Sequence, residues 1–342
     1  MSELTTRSVL HKRITTFVDW IKPELSKREE IKERANKVRE KIKNKAESDK
    51  YNLVVVSTPN AGSFTTKTGL RRHFRGDAEV EGLDVDLPFV IQDNQDGYAL
   101  FNLLEVFHRI VDDCFPSDNV KIERTKSSIK IKFPDKVNLD IVPMLEGDNI
   151  DEQIIIRSTG EKIHTSVKKH VDFIKKRTNA SNNEAGRVKY NECLRLFKWW
   201  RDTQANDSYW LGGDDSPASF LINLLTAKAF DELSVRKTYA ETLSNWFGYL
   251  AHLVKNKEPI LFSDYNNPTR DYYIWSVIDP VNPDNNIVKN WSSSKIDELA
   301  GWLENGRDNW NRIIGYDLEG EDTKSIEELI KIFGNSFKNH SE

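Results

Sequence analysis

The chain has 342 residues, of which 38 % are hydrophobic and 30 % charged, and its formal net charge is −4. This composition is typical of a globular protein and excludes extended disorder and a general attraction to nucleic acid or anionic membranes. The sequence contains no run of about eighteen apolar residues, and its two cysteines are too few for a disulfide framework or a zinc cluster. We therefore expect a cytoplasmic protein that does not associate with a membrane.

Residues 1–50 are predicted to form a long N-terminal helix, from about Val9 to Lys45, that packs on both lobes of the protein. Its first half carries apolar residues at helical spacing, among them Leu10, Ile14 and Phe17. The second half is a nearly continuous mixture of Lys, Arg and Glu, which indicates a solvated helix face with i,i+4 ion pairs. A basic ligand-binding ridge is the alternative.

Residues 51–163 are predicted to form an α+β domain. Strand patterns occur at 53–56, which we expect to be buried, and at 84–91, 127–133 and 137–144, with a helix at 100–114. The last two strands are separated by Pro134-Asp135-Lys136, a short turn that favours an antiparallel hairpin. The polar stretch 71–82 is expected to be an inserted loop.

Glycine and serine, Gly62-Ser63, follow the first of these strands and precede a short helical pattern. Glycine allows a close backbone approach to a phosphate, and the N-terminus of a helix favours negative charge. The Ser63 hydroxyl could add a hydrogen bond. The pair is consistent with a phosphate-binding turn, although an ordinary turn has the same composition.

Three aspartates in the predicted strands are the most informative feature of the domain. Side chains alternate faces along a strand, so Asp84 and Asp86 share one face while Val85 and Leu87 point to the other. Asp140 lies in another apolar strand. Converging carboxylates repel one another unless cations neutralise them, and oxygen ligands suit Mg²⁺ or Mn²⁺. The pattern predicts two-metal phosphoryl or nucleotidyl transfer.

Residues 164–342 are predicted to be a C-terminal helical domain, with helices near 184–201, 216–230 and 237–254. Three of its residues have an ordinary explanation on their own. Lys198 would be a surface lysine with a buried stem, Ser219 a helix cap, and Phe220 a core aromatic.

Three segments together resemble the signature of polymerase β-type nucleotidyltransferases: Gly62-Ser63, Asp84-Val85-Asp86 and Leu139-Asp140-Ile141-Val142-Pro143. The resemblance implies a mixed or antiparallel sheet with flanking helices, in which Asp84, Asp86 and Asp140 are both catalytic and metal-binding. It also implies that Gly62 and Ser63 bind the triphosphate.

Two segments of the helical domain resemble cyclic GMP–AMP synthase and oligoadenylate synthetase enzymes. Residues 192–200 are similar to the helix that carries the triphosphate-binding lysine of these enzymes, which corresponds to Lys198 here. Residues 217–226 are similar to a segment in which a serine contacts phosphate and an aromatic residue stacks on the base. Ser219 and Phe220 correspond to these two residues. The chain thus resembles a bacterial CD-NTase. The resemblance implies an active site in a cleft between core and helical domain.

The resemblance further implies cofactors, substrates and a biological setting. It implies two Mg²⁺ or Mn²⁺ ions, substrates among the nucleoside triphosphates with ATP or GTP foremost, and a cyclic di- or trinucleotide product that signals in antiphage (CBASS) defence, where other defence proteins could regulate the enzyme. DNA activation is not expected. Two alternatives remain: a template-independent RNA or tRNA nucleotidyltransferase, and an inactive nucleotide-binding sensor or scaffold.

Overall fold

The structure is a computed structural model, and its chain forms two compact units. The sheet unit comprises Pro23–Arg72 and Glu81–Asp172, and the helical unit comprises Met1–Lys22, His73–Val80 and Phe173–Glu342. The residues that the structure describes are 6, 8–71, 73–75, 78–80, 84–93, 102–116, 119–135, 137–184, 188–204, 217–270 and 273–342.

Strands and helices are numbered along the chain. The strands are β1 Val55–Ser57, β2 His73–Arg75, β3 Ala78–Val80, β4 Asp84–Ile91, β5 Lys121–Arg124, β6 Ile129–Lys132, β7 Asn138–Glu146, β8 Gln153–Ile156 and β9 Lys162–Thr165. The helices are α1 Val9–Trp20, α2 Leu25–Ala46, α3 Gly62–Thr66, α4 Leu103–Cys114, α5 Val167–Glu184, α6 Tyr190–Gln204, α7 Ser219–Leu233, α8 Tyr239–Lys255, α9 Ser293–Glu319, α10 Asp322–Phe333 and α11 Asn335–His340.

The sheet unit is built on a mixed sheet. Within the described residues its strand order is β1-β4-β7-β6-β5, with β8 paired to β7 and β9 to β8. Strands β4 and β7 are parallel, whereas β6 and β7 form an antiparallel hairpin. The predicted mixed α+β sheet and the hairpin after Pro134 are therefore confirmed.

One face of this sheet is apolar and is covered by α2 and α4. Alternation along the strands buries Val85 and Leu87 of β4 beside their register partners Leu139 and Ile141 of β7. The apolar residues of α4 recur at helical spacing and pack into the same core. The core residues from the two helices are Ile31, Ala35, Val38, Ile42, Ala46, Leu103, Leu104, Phe107, Ile110, Val111 and Cys114. The opposite face, called the polar face below, carries Asp84, Asp86, Asn138 and Asp140, and further along the same strands the buried apolar Val90 and Met144.

The helical unit has an aromatic core. Phe17 of α1 lies against Trp199 of α6 and Phe333 of α10, with ring centroids 5.4 Å apart in both pairs. Phe247 of α8 stacks on Phe197 of α6 at 4.3 Å. Helix α6 is therefore held on several sides, and its residues 190–200 are all buried. No helix in the described ranges is long and apolar enough to cross a membrane.

The N-terminal segment departs from the prediction of one long helix. Helix α1 ends before Ile21 and α2 begins after Glu24, and Pro23 lies in the break. A proline disfavours helical geometry in the residue before it and cannot donate its own backbone hydrogen bond, so the helix is interrupted there. Helix α1 belongs to the helical unit and α2 to the sheet unit.

Strand β1 also differs from the expected buried strand. Within the described residues it lies at one edge of the sheet, and Val54 and Val56 are exposed at 46 % and 51 % while Val55 is buried. The expected loop at 71–82 contains the short β2–β3 hairpin among its described residues, and the remainder of that stretch lies outside them.

Candidate active site

The three aspartates lie on the polar face of the sheet. Asp86 of β4 is the register partner of Asp140 of β7, and Asp84 is the partner of Asn138. Neighbouring strands are about 4.8 Å apart, so Asp86 and Asp140 are adjacent. Asp84 lies two residues before Asp86 on β4 and on the same face. All three side chains are half-buried. The apolar neighbours of these aspartates face the core instead, which is why the strands tolerate them.

Gly62 brings the Gly62-Ser63 turn against the aspartate pair. Its φ is +68°, a left-handed conformation that favours glycine. A methyl group built on Gly62 would overlap Asp86 Oδ2 and come within 2.9 Å of Asp86 Cγ. Conformation and space therefore both restrict this position to glycine. Ser63 follows it in the first turn of α3 and is half-buried.

A lysine that was not predicted from the sequence lies between two of the aspartates. Lys130 of β6 is the register partner of Asp140. Its Nζ is 3.1 Å from Asp84 Oδ2 and 3.7 Å from Asp140 Oδ2. Ser128 Oγ is also 3.4 Å from Asp140 Oδ1. The carboxylates are thus accompanied by an ammonium group of the chain itself.

Further charges continue across the same face of the sheet. Glu123 of β5 is the register partner of Lys130. Hydrogen bonds from Lys121 and Lys132 lower the pKa of Glu123 to about 2. This carboxylate is therefore ionised at neutral pH. The register partners Glu123, Lys130 and Asp140 on β5, β6 and β7 thus alternate in charge across the face of the sheet.

The donor chemistry of this face fits a divalent ion with oxygen ligands. Carboxylates from one strand, two residues apart, and from its neighbour are the ligand type that Mg²⁺ and Mn²⁺ prefer. In the described part of the chain, no three His, Cys, Asp or Glu side chains already converge on one metal position. Asp84 and Asp140 both lie near the ammonium of Lys130.

The helical unit holds the other predicted residues. Lys198 lies on α6 and is only 4 % exposed, so the alternative of a surface lysine is wrong. Ser219 is the first residue of α7; the cap position is Ala218 and no side chain caps the helix, so Ser219 is not a helix cap. Phe220 is half-buried.

Arg201, which was also not predicted from the sequence, connects α6 to the start of α7. Its Nη1 donates to Ser219 Oγ and to the Pro217 carbonyl, both at 3.1 Å, and it pairs with Asp202. Arg201 lies one turn after Lys198 on the same helix, a spacing that places both on one face. The helical unit therefore brings a cation to the predicted serine. The aspartates belong to the other unit.

Solved structures with the same fold define the class. The chain is similar to Escherichia coli MS115-1 CdnC with ATP, with TM-score 0.77, 24 % identity, and 96 % of this chain and 98 % of that one covered. It is also similar to the Bradyrhizobium diazoefficiens CD-NTase CdnG with GTP, with TM-score 0.71, 15 % identity and 98 % of each chain covered. A third similar structure is that of the Vibrio cholerae di-nucleotide cyclase DncV, with TM-score 0.66 and 15 % identity, in which 96 % of this chain and 97 % of that one are covered. The fold is therefore that of a CD-NTase, a polymerase β-like nucleotidyltransferase core with a helical domain.

A protein-family model identifies the family. The model of the Second Messenger Oligonucleotide or Dinucleotide Synthetase domain matches residues 9–179, half of the chain. The chain therefore belongs to the Second Messenger Oligonucleotide or Dinucleotide Synthetase family. The predicted family, fold class and nucleotidyltransferase activity are thereby confirmed. A relative in Escherichia coli (strain MS 115-1), the cyclic AMP-AMP-AMP synthase, is 26 % identical over 310 residues, 86 % of this chain and 88 % of the relative.

Proposed function

We propose that the chain joins nucleoside triphosphates into a cyclic di- or trinucleotide and releases pyrophosphate. One observation carries the proposal: Asp86 and Asp140 are register partners on one sheet face, with Asp84 beside them and Gly62 held directly against Asp86. Nucleotidyl transfer needs positioned phosphates and oxygen ligands for metal more than it needs covalent catalysis.

In this proposal each residue has a distinct task. Asp84, Asp86 and Asp140 would hold two Mg²⁺ or Mn²⁺ ions, which when bound would activate the attacking hydroxyl and neutralise the triphosphate. Asp140 is also placed to orient the ribose hydroxyl or to accept its proton. The backbone at Gly62 and the Ser63 hydroxyl would hold phosphate oxygens.

The helical unit would bind the remainder of the nucleotide. Lys198 and the Ser219 hydroxyl would hold phosphate oxygens, and Phe220 would stack on the base. We propose that residues 51–163 are the catalytic core and that residues 164–342 are the helical domain that completes nucleotide binding.

The substrates proposed are ATP and GTP, with ATP first. The Escherichia coli relative is a cyclic AMP-AMP-AMP synthase, and similar structures contain ATP or GTP. The biological setting proposed is antiphage defence in the cytoplasm, where nucleoside triphosphates are available. CdnC has been solved in complex with HORMA, and we propose a protein regulator of this kind for the present chain.

Product resistance to phosphatase tests the reaction. The full chain is incubated with labelled nucleoside triphosphates and Mg²⁺ or Mn²⁺, and the products are treated with phosphatase. A resistant product is expected from the wild type and from Asp112→Asn, which removes an exposed carboxylate of α4. Asp86→Asn should give none while keeping the wild-type melting temperature to within a few degrees. A phosphatase-sensitive product would instead mean a linear oligonucleotide, and extension of added RNA would mean a tailing enzyme.

A further inference from the structure

Lys130 lies against two of the three carboxylates that the proposed reaction assigns to the metal ions. Its strand pairs with β7 so that Lys130 is opposite Asp140. Its ammonium reaches back to Asp84 as well, at 3.1 Å, and lies 3.7 Å from Asp140. The lysine side chain is only 17 % exposed, so solvent screens these contacts weakly.

The electrostatics of the face explain why a cation is needed there. Asp84, Asp86 and Asp140 place up to three negative charges on adjacent positions of two strands. Like charges at this spacing repel one another, and an opposite charge between them relieves the repulsion. A divalent ion bound by Asp84 and Asp140 would lie close to the ammonium that contacts both carboxylates, and two cations at that spacing repel one another. The two cations therefore compete for these carboxylates.

We propose that Lys130 is the resident counter-cation of the metal-free site, and that a divalent ion binds only by displacing its ammonium from Asp84 and Asp140. The inference rests on the proposed function, because it takes these aspartates as the metal ligands. Lys130 stabilises the metal-free sheet unit and lowers its affinity for metal.

Two measurements on the full chain should move in opposite directions in Lys130→Met. The affinity for Mn²⁺, measured from the electron paramagnetic resonance signal of the free ion, should rise about two- to fivefold, the range that loss of one partly exposed ion pair produces. The melting temperature in the presence of a chelator should fall, and saturating Mn²⁺ should reduce that difference. Lys130→Arg, which keeps the charge, should resemble the wild type in both measurements.

Lys121→Met is the matched control. It removes the same charge from the same face, on β5, and Lys121 pairs with Glu123. Strand β5 is two strands away from β7, about 10 Å, so Mn²⁺ affinity should stay within about twofold of the wild-type value because distant exposed charges are screened.

The outcomes separate this inference from the proposed function. If wild-type Mn²⁺ binding is abolished by Asp86→Asn but Lys130→Met binds Mn²⁺ as the wild type does, or more weakly, the counter-cation role is wrong and the metal site stands. If Lys121→Met matches the gain of Lys130→Met, the effect is general electrostatics and the inference is also wrong. If no variant shows Mn²⁺ binding that depends on Asp86, the proposed metal site and the inference both fail.

Discussion

Gly62 is the residue whose identity the candidate site restricts most. It combines a positive φ with direct contact between its backbone and the Asp86 carboxylate. Any side chain must therefore both strain the turn and push Asp86 from its place. A residue that positions a carboxylate of the proposed metal site in this way should affect activity more than stability.

Gly62→Ala should reduce product formation by about 100-fold, the effect of a misplacement of about 1 Å in a reacting group. The left-handed backbone should also cost about 1–2 kcal/mol of unfolding free energy. Initial rates and denaturant unfolding measure the two effects.

The control is Gly320→Ala, at the end of α9. Its φ is +77°, and no described atom lies within 4 Å of a methyl group built there. It should lose a similar free energy and keep full activity. Equal activity losses in both variants, or none in Gly62→Ala, would contradict the role of Gly62.

The residues of the aspartate face could largely be predicted from the sequence, because strand periodicity alone determines which side chains share a face. Predicting the position of Lys130 requires the pairing register of β6 and β7 as well. The alternation Ile129-Lys130-Ile131-Lys132 places Lys130 opposite Asp140 only in the correct register, because a slip of one residue turns every side chain of the strand to the other face of the sheet. The burial of Lys198 was not predictable, because Asn191, Arg195, Lys198 and Asp202 recur at helical spacing as a solvent-facing polar stripe would, and yet all four are buried.

At the scale of elements, Asp113 connects α4 to the end of α2 and to the residues that follow it. Its Oδ2 accepts hydrogen bonds from Lys50 Nζ at 2.6 Å and from Tyr51 Oη at 3.0 Å, and Lys45 Nζ lies 3.3 Å away. These groups lower the pKa of Asp113 to about 2, with the Lys50 hydrogen bond as the largest cause.

Asp113→Asn should therefore lower the melting temperature in a pH-dependent manner. The carboxylate pKa is depressed in the folded state, so its stabilisation is fully present above the unfolded value of about 3.9. It is lost as the pH falls through the folded pKa of about 2. Differential scanning fluorimetry should show a constant difference from the wild type above about pH 5 and a shrinking one below it. A difference that does not change with pH would contradict this contribution of charge.

The contact between α8 and α9 depends on Gly306. A methyl group there would come 2.5 Å from Phe247 Cδ1. Phe247 cannot move aside easily, because it stacks on Phe197 at 4.3 Å and meets Trp200 at 4.7 Å. Both partners lie on α6, the helix that carries Lys198.

Gly306→Ala should destabilise the protein by about 1–3 kcal/mol through overpacking. Gly301→Ala, in the same helix, has no described atom within 4 Å of the added methyl group and should stabilise by about 0.5–1 kcal/mol through helix propensity. Denaturant unfolding distinguishes the two variants, and a stabilising Gly306→Ala would show that the helices can separate at no cost.

Elements with strong periodicity could be predicted, and those that depend on tertiary pairing could not. Strands β4, β6 and β7 and helix α4 follow their apolar patterns closely. Strands β8 and β9 were not predicted, because these four-residue strands are defined by pairing with β7 and with each other. The break at Pro23 shows the opposite case, a local signal that outweighs a continuous helical pattern.

At the scale of the whole molecule, the two units contribute different chemistry. The sheet unit carries the carboxylates and the glycine turn, and the helical unit carries Lys198, Arg201 and the start of α7. The family and the fold follow from the sequence because the motifs occur in order along the chain. The bases that are joined depend on side-chain geometry in the nucleotide pocket, which motif spacing does not determine.

Mass spectrometry of the product formed from all four nucleoside triphosphates with Mg²⁺ tests the proposed reaction. We expect a species whose mass is the sum of two or three nucleoside monophosphates less one water for each, with adenine among the bases, formed by the wild type and absent in Asp86→Asn. A linear product that retains a 5′ triphosphate, or a cyclic product that Asp86→Asn still makes, would contradict it.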